Sequence, residues 1–135
     1  TIDMLLEVKA ELDETDFSRA KYVIEETERV LTVCNSLKEG DYDTVGRMMF
    51  GTHWGLSKEY TVSCDELDFL ASLAEEYGVK GSRVMGGGFG GCTINLIPES
   101  IHDAFVEKAV TLFSEKFGHK PEVYEIVIGE GARKL

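Results

Sequence analysis

Arg83-Val84-Met85-Gly86-Gly87-Gly88-Phe89-Gly90-Gly91-Cys92-Thr93-Ile94-Asn95-Leu96-Ile97 is the stretch that decides how this chain folds. Two short extended runs flank Gly86–Gly91, which places five glycines in six positions. A glycine loses more backbone freedom on folding than alanine, about 0.5–1 kcal/mol each. Five together cost a large share of a small domain's net stability. A chain carries that cost where a Cβ does not fit: in a turn with positive φ, at a close packing contact, or beside a ligand. Phosphate is the ligand that backbone N–H groups hold most readily in this way. The segment is short and both flanks read as strands, so the spacing predicts an antiparallel hairpin.

The strand-to-strand setting excludes two familiar phosphate motifs. Gly86-x-Gly88-x-x-Gly91 matches the dinucleotide fingerprint formally, but that fingerprint runs from a strand into a helix. The run after Gly91 is apolar and β-branched. No Gly-Lys-Ser/Thr follows either, so the loop is not a P-loop. A tight hairpin that lets a helix pack closely remains a sufficient explanation of the glycines taken alone.

Working outward, residues 18–38 predict a helix, with Val23, Val30, Cys34 and Leu37 on its apolar side, Ile24 and Leu31 alongside them, and Gly40 at its end. Residues 42–57 predict a second helix with Val45, Met48, Met49, Thr52 and Leu56 on one side, and Gly46, Gly51 and Gly55 leaving room for close approach. Ser63 with Glu66 forms a capping-box pattern ahead of a third helix bearing Leu67, Leu70, Ala71 and Ala74, closed by Gly78. Beyond the hairpin, Ser100 and Asp103 open a fourth helix carrying Ile101, Phe105, Ala109, Leu112 and Phe113, and Gly118 ends it. Val123-Tyr124-Glu125-Ile126-Val127-Ile128 reads as a last strand. Residues 1–16 leave helix and strand both open. Hairpin, helix and strand form the later part of a ferredoxin-like β-α-β-β-α-β unit, an α+β fold with an antiparallel sheet packed against helices. The first strand of that unit has to come from residues 1–16 or from sequence outside this chain.

The length of 135 residues fits a single domain, residues 1–135. A net charge of −11 argues against nucleic acid and anionic membranes as partners, since both select clustered Lys and Arg. No apolar run approaches the roughly 20 residues of a membrane span. Cys34, Cys64 and Cys92 are scattered and odd in number, which suits neither a disulfide framework nor a zinc site. They are expected to be reduced thiols in a cytoplasmic protein. The chain starts at Thr1, as a fragment or a processed chain would.

Gly81-Ser82-Arg83-Val84-Met85-Gly86-Gly87-Gly88-Phe89-Gly90-Gly91-Cys92 closely resembles the third signature motif of galactokinases, within the GHMP family of small-molecule kinases. Arg19-Ala20-Lys21-Tyr22-Val23-Ile24-Glu25-Glu26, Gly40-Asp41-Tyr42, Tyr60–Asp68 and Gly131-Ala132-Arg133 resemble further galactokinase segments in the same order. Many members carry Met-Thr where this chain has Val84-Met85, and many carry Pro at the position of Asp65. Gly87 is alanine in some members. The family's Glu-His-x-Asp sugar motif, its Ser-rich phosphate loop and its catalytic aspartate and arginine have no counterpart here. The resemblance is therefore to the C-terminal portion of a galactokinase, without its N-terminal partner domain.

What the resemblance implies is a kinase that moves the γ-phosphoryl of ATP, with Mg2+, to galactose, giving galactose 1-phosphate. No catalytic residue and no metal site is expected in this chain, which would be inactive alone. Gly86, Gly87, Gly88, Phe89, Gly90 and Gly91 are expected at the active-site floor, supporting the phosphate loop or touching the ligand, with Arg83 and Ser82 as further candidates. Arg83 can face a phosphate or pair with a carboxylate, the pairing being the expectation in so acidic a chain. His53 reads as a packed histidine, Lys58 as exposed and Cys92 as a core thiol. Asp65, Glu66 and Asp68 read as first-turn acids favoured by the helix dipole. A kinase for N-acetylgalactosamine or arabinose, or a non-catalytic sensor or binding module, remains the alternative. An apolar face is expected where the N-terminal half would dock, with possible self-association through it.

Overall fold

Capping side chains start three of the described helices and glycines end three. The computed structural model describes residues 1–131. Helix α1 (Ile2–Glu7) is closed at its start by a Thr1–Met4 capping box, so residues 1–16 supply helix rather than a strand. A 3-10 turn (Lys9–Glu11) leads to α2 (Glu14–Glu39), which begins earlier than the apolar pattern suggests because Asp13 accepts the Asp16 N–H at 2.8 Å. Helix α3 spans Tyr42–Lys58 and α4 Asp65–Tyr77. Strands β1 (Gly81–Met85) and β2 (Cys92–Leu96) pair antiparallel, with Arg83 opposite Ile94 and Met85 opposite Cys92. A 3-10 turn (Glu99–Ile101) precedes α5 (His102–Phe117). Gly40, Gly78 and Gly118 end α2, α4 and α5 in the left-handed conformation their sequence positions call for.

Three local expectations change. The cap of α4 is Cys64, not Ser63, because the Ser63 hydroxyl is drawn to the Asp68 carboxylate instead. Helix α5 starts behind its 3-10 turn without a side-chain cap, and Asp103 engages His102 rather than the helix end. Val123–Ile128 forms no ladder, so the sheet among the described residues has two strands. Val127 and Ile128 are 95% and 94% exposed. Strand-type side chains report a fit to a pleated, half-buried surface, and here no neighbouring strand provides one. Ala132 and Arg133 of the closing resemblance lie outside the described residues.

The main core lies among α4, α5 and the sheet, where Leu73, Ala74, Val79, Phe105 and Ala109 close over one another. A second contact seats α3 on the outer edge of β1 through bare backbone. A Cβ on Gly46 would overlap the Lys80 carbonyl oxygen, and one on Gly81 would lie 2.6 Å from the Gly46 Cα. Helix α2 packs on α3 through the stripe beside the predicted one, rotated from it by about 90° around the helix. Tyr22 is buried against Gly55, and Glu26 accepts the Thr52 hydroxyl at 2.8 Å while pairing with Arg29. Val23, Val30, Leu31, Cys34 and Leu37, read from the sequence as core-facing, are therefore left exposed.

Gly46→Ala should cost about 1–3 kcal/mol in urea unfolding, because helix and strand must part to admit the methyl. Gly51→Ala is the internal control. Its Cβ would meet only the Arg29 side chain, at 3.2 Å, and it should be neutral or stabilising by up to about 1 kcal/mol through helix propensity.

Candidate functional site

The glycine loop stands on the hairpin, fastened at one point and open elsewhere. Gly86, Gly88, Gly90 and Gly91 all have positive φ, as does Phe89 at +57°. Cβ atoms built at Gly86, Gly87, Gly90 and Gly91 would face open space. Gly88 differs: its Cβ would overlap the carbonyl oxygen of Val62 and lie 2.9 Å from the Val62 Cβ. That same carbonyl accepts the Phe89 N–H at 2.7 Å. The loop tip is thus docked on the connection between α3 and α4. Phe89 keeps a left-handed backbone that ordinary residues avoid, and the residue is 77% exposed.

The foot of the loop is tied down by a histidine. His53 is fully buried on α3, and its Nδ1 accepts the Val84 N–H of β1 at 3.1 Å. Its Nε2 lies 3.2 Å from Asp68 Oδ1 on α4, an electrostatic contact without hydrogen-bond geometry. Burial holds the imidazole pKa below its ordinary value, against the pull of the Asp68 charge. Asp68 also accepts the hydroxyls of Ser57 and Ser63, both at 2.6 Å, and the Lys58 ammonium at 3.2 Å. Partial burial pushes its carboxyl pKa up, but the hydrogen bonds from Ser57, Ser63 and Lys58 outweigh that and hold it below the usual value. His53 is the packed histidine the sequence suggests and Lys58 is exposed, but the role of Asp68 goes well beyond a helix-dipole acid. Only its spacing from Ser63 offered a hint.

The remaining candidates divide. Arg83 is half-buried and donates from Nη1 to the Val84 carbonyl at 3.1 Å, so its partner is a carbonyl rather than the expected carboxylate. Ser82 is fully buried, and its hydroxyl has no hydrogen-bond partner among the described residues. Cys92, read as a core thiol, is exposed because β2 starts on that open side. No group of three or more His, Cys, Asp or Glu side chains suited to a metal ion occurs among the described residues. No helix among them is long and apolar enough to cross a membrane.

Two outcomes test this geometry. Gly88→Ala should cost more than about 1 kcal/mol, from the overlap and the left-handed strain together. Gly87→Ala, with open space and no positive φ, should leave the urea midpoint nearly unchanged. Stability should also fall with acid. A histidine whose folded pKa is depressed contributes fully above its ordinary value of 6.5 and loses that contribution as pH drops through the folded value. The carboxyl of Asp68, lowered from 3.8, titrates below this window. Urea midpoints between about pH 7 and about pH 5 should therefore drop more in the parent chain than in His53→Asn, which cannot titrate there.

Comparison with known proteins places this arrangement in a family. Residues 19–115 match the family model described as GHMP kinases C terminal. The galactokinase of Bacillus subtilis (strain 168) is 40% identical over 124 residues, covering 91% of this chain and 32% of the relative. That of Clostridium beijerinckii is 41% identical over 118 residues, covering 87% and 30%. Among solved structures, Lactococcus lactis galactokinase complexed with galactose superposes with a TM-score of 0.77 at 30% identity, covering 86% of this chain and 31% of that one. L. major mevalonate kinase in complex with R-mevalonate, at 22% identity and a TM-score of 0.64, shares the fold. The chain spans about a third of the length of the relatives it matches. The glycine hairpin, the helices that anchor it and the match over residues 19–115 agree: this chain belongs to the GHMP kinases, as a C-terminal domain of that family.

Proposed function

We propose that this chain is the C-terminal part of a galactokinase-type sugar kinase, with Gly86–Gly91 at the floor of the site that holds the phosphates of ATP. The observation that carries the reading is the one-sided loop. It is fixed to the protein at Gly88 and Phe89, while its other glycines present bare backbone to open space. Successive backbone N–H groups in such turns form concavities suited to anions. The complete enzyme would transfer the γ-phosphoryl of ATP to the anomeric hydroxyl of galactose, giving galactose 1-phosphate. That chemistry is mostly positioning and charge stabilisation, so an immobile floor contributes directly.

Within the loop, Gly88 sets the height of the floor against Val62, and Phe89 turns the chain back toward β2. Arg83 adds the one positive charge between Gly81 and Cys92. The residues here do not fit a magnesium site, since no Asp or Glu lies between Gly81 and Cys92. The catalytic groups, the galactose contacts and any metal ligands would belong to the N-terminal part of the kinase. The exposed apolar stripe of α2 is the face we assign to that part, and free chains would self-associate through it. The three free thiols suit a cytoplasmic setting.

The isolated chain should show no ATP-dependent phosphorylation of galactose. In the complete kinase, Gly88→Val should lower turnover by about 100-fold or more, equivalent to roughly 2.7 kcal/mol of lost transition-state stabilisation, with circular dichroism showing the variant folded. Turnover by the isolated chain would overturn the division of labour, and unchanged turnover in a folded Gly88→Val kinase would reduce the loop to a turn.

A further inference from the structure

We propose that Asp68 is a positioning residue for the glycine loop, holding its foot and its tip from a single carboxylate. One route runs through His53. The imidazole accepts the Val84 N–H on Nδ1, so its neutral form carries its proton on Nε2, the nitrogen 3.2 Å from Asp68 Oδ1. The carboxylate thereby favours the tautomer that can accept from β1, two residues before Gly86. The other route runs through Ser63. Its hydroxyl donates to Asp68 Oδ1 at 2.6 Å. The peptide joining Val62 to Ser63 carries the carbonyl that accepts the Phe89 N–H and fills the space beside Gly88.

Asp68 Oδ2 is held in turn from the last turn of α3 by Ser57 and Lys58. The carboxylate thus joins α3, the connection after it, α4 and, through His53, β1. An acid serving only the dipole of α4 needs none of these partners. Asp65 and Glu66 occupy the same first turn and meet that need without them. Asp68 contacts no loop atom itself; it acts on the loop through His53 and Ser63.

The consequence for catalysis rests on the phosphate-floor reading, and the test separates the two. Amide hydrogen exchange would be followed by NMR in the 135-residue chain and in its Asp68→Ala, Asp68→Asn and Ser63→Ala variants. Ala109 and Phe113 in α5 report global opening. Relative to them, Asp68→Ala should speed exchange at both Val84 and Phe89 by about tenfold or more. Ser63→Ala should do so at Phe89 alone, and Asp68→Asn, which keeps one acceptor oxygen, should fall between. Imidazole nitrogen shifts should show His53 protonated on Nε2 in the parent chain. The proposal is overturned if Val84 and Phe89 accelerate only in step with Ala109 and Phe113, or if His53 carries its proton on Nδ1. Should Asp68→Ala fail to fold, Asp68→Asn and Ser63→Ala decide the matter on the same amides. The complete kinase then tests the other reading. Loosened amides with kcat and the ATP KM unchanged would leave the positioning intact and remove the phosphate floor. A loss of kcat with unchanged relative exchange would remove the positioning role.

Discussion

The direct approach of α3 to the edge of β1 is the constraint on which the rest of this domain depends. Helix and strand meet at Gly46 and Gly81, where neither element can carry a side chain. They meet again where His53 takes the Val84 N–H. Seven residues of helix separate Gly46 from His53, and three residues of strand separate Gly81 from Val84. The corresponding rises, about 10.5 Å and about 10 Å, are nearly equal. Two turns of α3 therefore run alongside three residues of β1 with both contacts in register. A side chain at Gly46 or Gly81 would push the helix out and lift His53 from Val84. The glycine loop begins two residues beyond Val84, so the precision of its foot derives from this packing rather than from the loop's own sequence.

Much of this was legible in the sequence, for identifiable reasons. The helices α3 to α5, the hairpin and the terminal glycines follow from local rules of periodicity and positive φ, which need no knowledge of neighbours. Gly46 and Gly55 were read as sites of close approach, and the structure shows against what: the Lys80 carbonyl and the Tyr22 ring. The errors come from properties that neighbours decide. Ser63 has the right spacing to cap α4, but the helix starts one residue later, behind Cys64, and the Ser63 hydroxyl is turned to donate to a half-buried carboxylate five residues on. Asp68 is one of three acids in a single turn, and sequence alone cannot tell which of them faces inward. Val123–Ile128 has a strand's composition, but a ladder requires a partner and none stands beside it among the described residues.

Helix α2 shows the same limit in another form. It carries two stripes of nearly identical spacing. Val23, Val30, Cys34 and Leu37 form the more apolar one, whereas Tyr22, Glu26, Arg29, Val33 and Ser36 form the other. Hydrophobicity favours the first as core. The structure buries part of the second, because the Tyr22 ring fits the space above Gly55 and Glu26 finds Thr52 and Arg29. A helix usually turns its most apolar face inward. One that does the reverse exposes a surface suited to a further neighbour. The chain spans about a third of the length of the galactokinases it matches.

The two edges of the hairpin make a related point about where order is concentrated. The outer edge of β1 is covered by α3, with His53 accepting its Val84 N–H and Gly46 closing against Gly81. On the other strand, Cys92 is exposed at the point where the chain leaves the loop. The loop itself is divided in the same way: Gly88 and Phe89 are pinned to Val62, while Gly90 and Gly91 lead to the open side. Glycine in a loop ordinarily signals freedom, but freedom is unhelpful to a reaction that depends on placement. Here the glycines serve a different end. They allow positive φ and close approach, and the Val62 carbonyl then holds the loop at Gly88 and Phe89. What results at the loop tip is backbone held at a fixed height, the property that the proposed phosphate floor requires and a free glycine linker lacks.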